Sequence, residues 1–75
     1  MNYKQVMELM DDVLLLNRKS LFAKLEGKSL EPEEFQKARK SCAKLNELDI
    51  YPFRVECTDE ELLNQIRNFI QNAFQ

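Results

Sequence analysis

The stretch ELDIYPFRVECTDEE, Glu47 to Glu61, separates two segments of helical periodicity, and it carries Ile50, Tyr51, Phe53 and Val55 where a connector is ordinarily made of Gly, Asn or Ser. Tyr51, Phe53 and Val55 alternate with Pro52, Arg54 and Glu56. An extended chain with that pattern lays one apolar side against a helix and turns its charges to water. The surface beneath it is expected to be the protein's own first helix, a second copy of the chain, or both.

Working outward, Thr58 and Glu61 form a capping box with Asp59 and Glu60 in the same turn. Leu62, Leu63, Ile66, Phe69, Ile70, Ala73 and Phe74 then follow at helical spacing. On the other side, Pro32 in SLEPEEF suits the first turn of a helix running to about Leu48, with Glu33 and Glu34 at its positive end. Its seam is Phe35, Ala38, Cys42 and Leu45, narrow and small enough to admit another helix closely. The first segment, Asn2 to Glu26, stops at Gly27, the only glycine, where a left-handed cap is needed, with Lys24 in the last turn. The pattern predicts an all-α, three-helix bundle forming a single domain over residues 1–75: a long first helix, a helical hairpin to the second, an extended apolar connector and a third helix.

Helix one has more apolar surface than two shorter helices can cover. Its main stripe reads Tyr3, Val6, Met7, Met10, Val13, Leu14, Leu21 and Leu25; Leu15 and Phe22 widen it, and Leu9 and Leu16 project on the far side. A chain of 75 residues is marginally stable alone unless stapled or partnered. A two-fold homodimer is therefore expected, with Leu9, Leu16, Tyr51, Phe53 and Val55 as the partner-binding residues.

Chemistry finds few footholds. Without histidine the chain lacks the commonest general base and metal ligand, and one glycine cannot make a phosphate loop. Cys42 and Cys57 match no zinc spacing. With no secretory leader in the opening residues, both are expected as free thiols in the cytoplasm. The carboxylate groups Asp11–Asp12 and Glu31, Glu33, Glu34 sit where solvated or helix-dipole charge is ordinary. No run reaches the roughly 18–20 apolar residues of a membrane span. No enzyme, cofactor or metal site is expected.

Net charge is −2, but both ends are acidic and the middle basic. Arg18, Lys19, Lys24, Lys28, Lys37, Arg39 and Lys40 flank the turn between the first two helices and make the alternative of a nucleic-acid-binding regulator. Glu26, Glu31, Glu33 and Glu34 interleave with them, notably Glu33 with Lys37 four residues on, and the pI near 5.1 disfavours polyanions. Solvated, self-paired charge is the favoured reading.

The stretch DIYP, Asp49 to Pro52, resembles the tyrosine-proline segment with which small acidic helical immunity proteins of the colicin type meet their toxin. The likeness covers four residues and includes one of that family's two consecutive tyrosines. It implies a toxin-neutralising protein using Tyr51 and the acidic third segment, a second alternative. The residues themselves lead to a non-enzymatic interaction or regulatory module that binds and occludes a partner protein.

Overall fold

Helix ends in this chain are made by local chemistry. In the computed structural model, which describes residues 2–73, α1 spans Tyr3–Glu26, α2 Pro32–Glu47 and α3 Asp59–Ala73, with no strand among the described residues. Asn2 Oδ1 accepts a hydrogen bond from the Lys4 N–H at 3.0 Å and opens α1. At its other end Gly27 adopts φ 69°, and the N–H groups of Gly27 and Lys28 reach the carbonyls of Lys24 and Ala23. Between them α1 is unbroken through Asn17 and Ser20, the Ser20 hydroxyl donating to the Asn17 carbonyl at 2.7 Å. Pro32 begins α2, and Glu34 Oε2 reaches back to the Glu31 N–H at 3.2 Å. Thr58 Oγ1 accepts from the Glu61 N–H at 3.1 Å and caps α3. Phe74, the last member of the α3 stripe in sequence, lies outside the described residues.

The end of α2 has no glycine to make it. Asp49 takes the left-handed conformation, φ 57°, while its N–H bonds the Asn46 carbonyl and the Ile50 N–H bonds the Leu45 carbonyl, both at 3.0 Å. A Cβ there is strained, although Asp tolerates the region better than most residues. Asp49→Gly is therefore expected to stabilise the protein by roughly 0.5 kcal/mol, the relief of strain being partly offset by a freer unfolded chain. Asp49→Val should destabilise it by about 1–2 kcal/mol. Urea midpoints of the two variants check both signs.

Cross-links between elements give their directions. Lys19 pairs with Glu34 at 3.1 Å and Asp12 accepts from Ser41 at 2.8 Å, so α1 and α2 are antiparallel. Leu63 lies near Ser20 and Ala23, and Ile70 near Asn17 and Leu21, so α3 also runs back along α1. Consequently α2 and α3 point the same way. A chain that joins two parallel helices must return over the length of the first, about 24 Å for 16 residues. Residues 48–58 can span about 36 Å when extended, enough for the return. Asn46 donates to the Phe53 carbonyl at 3.0 Å and Arg39 to the Val55 carbonyl at 2.6 Å, which lays the connector antiparallel to α2. From α3, Gln65 grips Arg54 like a strand neighbour, accepting from its N–H at 2.7 Å and donating to its carbonyl at 2.9 Å. The connector is a fourth wall between α2 and α3.

The core is Val13 and Leu16 of α1, Ala38, Cys42 and Leu45 of α2, Leu62, Ile66 and Phe69 of α3, and Phe53 of the connector. Phe53 closes an aromatic cluster, its ring centroid 5.4 Å from Phe69 and 4.8 Å from Tyr51. Burial pushes the Cys42 thiol up to about 12, so it packs as a small hydrophobe. Among the described residues the α2 and α3 stripes face inward as their spacing predicts, apart from the exposed Ala73. On α1 the phase differs from the predicted one. Val6, Leu9, Met10, Val13 and Leu16 face the core, whereas Tyr3, Met7, Leu21 and Leu25 of the predicted stripe are exposed. Many stripes can be drawn on so apolar a helix, and tertiary packing selects the one that α2 and α3 can straddle.

Candidate interaction surface

Two of the five partner-binding residues expected from the sequence are buried within the chain. Leu16 and Phe53 are each 2% exposed and belong to the core, so neither offers surface to a second molecule. Leu16 turns inward with the phase of α1, and Phe53 does so because the connector is the wall between α2 and α3. Leu9, Tyr51 and Val55 are half-buried and pack against the same core; Tyr51 lies 5.1 Å from Phe69, ring to ring. The five residues do not form one outward patch.

What faces outward is the opposite side of α1. Tyr3 is 81% exposed, Met7 62%, Leu15 39%, Leu21 49%, Phe22 57% and Leu25 83%. Length is part of the cause: α1, at about 36 Å, exceeds α2 and α3, and its ends overhang them. Between these apolar residues, Asp11, Leu14, Leu15 and Arg18 line a shallow depression, the four-residue diamond that a helix presents every two turns. The sequence signal for this surface is present in Met7, Leu21 and Leu25, but it is the same signal that reads as core.

The basic residues are largely occupied. Lys19 pairs with Glu34, Lys28 with Glu26 at 3.3 Å, Lys37 with Asp12 at 3.7 Å and Arg39 with Asp59 at 2.7 Å. Lys37 thus meets Asp12 across the helix pair rather than Glu33 on its own helix, as spacing alone suggests. Arg39 is structural: besides Asp59 and the Val55 carbonyl it donates to Cys57 Sγ at 3.7 Å, and Asp59 raises the pKa of its guanidinium above the ordinary value. Arg18, Lys24 and Lys40 are exposed. Lys19, Lys28 and Lys37 are exposed as well, and the carboxylates paired with them and with Arg39 weaken the phosphate surface of the seven cations without removing it.

The carboxylate clusters serve separate local contacts. The Asp11–Asp12 pair divides its roles, Asp12 holding Ser41 and Lys37 while Asp11 faces solvent. Glu31 and Glu34 serve the start of α2. No group of His, Cys, Asp and Glu side chains is placed to hold a metal among the described residues, and none of their helices is long and apolar enough to cross a membrane. Compared with family models, curated proteins and solved structures, the chain finds no match.

Proposed function

We propose that the protein is a non-enzymatic helical interaction module, a three-helix bundle that acts in the cytoplasm by binding a protein partner and occluding the surface it covers. The binding face is the outer side of α1. One observation carries this reading: Met7, Leu15, Leu21, Phe22 and Leu25 stand exposed along one helix, more large apolar side chains than a small protein ordinarily leaves to water on one element. The rest of the chain supports α1 as a rigid platform, with the connector closing the core on the opposite side. The gradient between acidic ends and basic middle steers orientation and raises the association rate.

The test is capture of partners from the native cell by immobilised protein, wild type against Leu21→Glu/Leu25→Glu. Both positions are exposed, so the variant should keep its helical circular dichroism. A protein retained by the wild type and lost from the folded variant is the expected result. Equal retention by both would remove the outer face of α1 from the reading.

A further inference from the structure

The outer face of α1 is complementary to itself. Asp11 and Arg18 lie on this face on either side of Leu14 and Leu15, both exposed, and neither forms an ion pair with another described residue. They are two turns apart, about 10 Å along the axis, too far to pair with each other within one helix. We infer that the occupant of this face is a second copy of the chain, bound with its α1 antiparallel across a two-fold axis that passes level with the midpoint of Leu14 and Leu15. The inference rests on the reading of this face as an interaction surface and names what covers it.

The register follows from the sequence positions. An axis between Leu14 and Leu15 sets Asp11 of one chain level with Arg18 of the other, and the symmetry makes that ion pair twice. It also sets Met7 level with Phe22 and brings the leucines at 14 and 15 of both chains together in the middle. The depression lined by Asp11, Leu14, Leu15 and Arg18 then faces its own symmetry mate across the axis, with Leu14 and Leu15 of the copy along its rims. A parallel pairing would oppose Asp11 to Asp11 and Arg18 to Arg18, so the charges select the antiparallel arrangement. Area agrees. At roughly 200 Å² for a fully exposed large side chain, Met7, Leu15, Leu21, Phe22 and Leu25 present about 600 Å² of apolar surface. With Asp11, Leu14 and Arg18 added, each chain approaches the roughly 800 Å² per partner of a stable interface.

The experiment is a charge swap read by sedimentation equilibrium from about 1 to 100 µM, the range of ordinary dimer constants. Wild type should sediment at twice 8.9 kDa. Asp11→Arg and Arg18→Asp should each weaken dimerisation about 100-fold or more, because two attractive contacts become repulsive. An equimolar mixture of the two variants should regain the dimer, and so should the double variant Asp11→Arg/Arg18→Asp. All substituted positions are exposed, and circular dichroism confirms that each variant is folded. A wild-type mass of one chain overturns the inference, as do single variants that dimerise like wild type or a mixture that stays monomeric. A monomeric wild type that still loses a captured protein through Leu21→Glu/Leu25→Glu would leave the interaction module standing with a foreign occupant. A dimer that obeys the charge swap while Leu21→Glu/Leu25→Glu changes no captured protein would overturn the foreign partner and keep the self-pairing.

Discussion

Phe53→Ala is expected to cost about 3–5 kcal/mol, the usual range for removing a buried aromatic ring. A folded domain of this size has about 4–11 kcal/mol in all, so the substitution should remove from about a quarter of the stability to all of it. The size of the effect comes from what the connector does. Phe53 is at 2% exposure between Tyr51 and Phe69, and its carbonyl is tied to Asn46 of α2. Collapse into the space it leaves is resisted because Asn46, Gln65 and Arg39 hold the connector at Phe53, Arg54 and Val55. Phe53→Leu keeps most of the apolar volume and should cost about 1–2 kcal/mol. Urea unfolding followed by far-UV circular dichroism measures both. A loss below 1 kcal/mol for the alanine variant would mean that the connector is a mere link and that α2 and α3 hold together without it.

Helix ends were legible because they depend on a few adjacent residues. Gly27, Pro32 and Thr58 each supply a backbone conformation or a hydrogen bond that the neighbouring turn needs, and each sits at a helix terminus in the structure. The end of α2 is the exception. Asp49 adopts a glycine conformation without being glycine, and nothing in its neighbours announces it. The alternation of Tyr51, Phe53 and Val55 correctly marks a segment with one side buried: Phe53 is in the core, Tyr51 and Val55 are half-buried, and Pro52, Arg54 and Glu56 are exposed. What it lies against is a non-local matter. Only the parallel directions of α2 and α3 require a returning strand of chain, and no local pattern encodes those directions. The burial of Leu16 and Phe53 was hidden for the same reason, since the residues facing out on α1 are whatever α2 and α3 leave uncovered.

Adjacent leucines of α1 should therefore behave in opposite ways. Leu16→Asp is expected to unfold the protein, and Leu15→Asp to leave its stability within about 1 kcal/mol of wild type. Leu16 is 2% exposed and Leu15 is 39%. Replacing Leu16 removes buried apolar surface, at about 2–5 kcal/mol, and adds a carboxylate that must either stay charged in the core or bind a proton, at several kcal/mol more. Lys19 and Lys37 line the depression next to Leu16, but Glu34 and Asp12 already hold them, and the short aspartate arm does not bring its charge to water. At position 15 the same carboxylate enters solvent. Position 15 borders both the outer face and the depression shared with Asp12, Lys19, Glu34 and Lys37, and the added negative charge beside Asp11 should weaken any dimer formed through α1 without loss of helix. Helical circular dichroism, urea midpoint and sedimentation mass of the two variants separate these outcomes. An unfolded Leu15→Asp beside a stable Leu16→Asp would put Leu15 in the core and Leu16 outside, the reverse of the phase on which the exposed face of α1 depends.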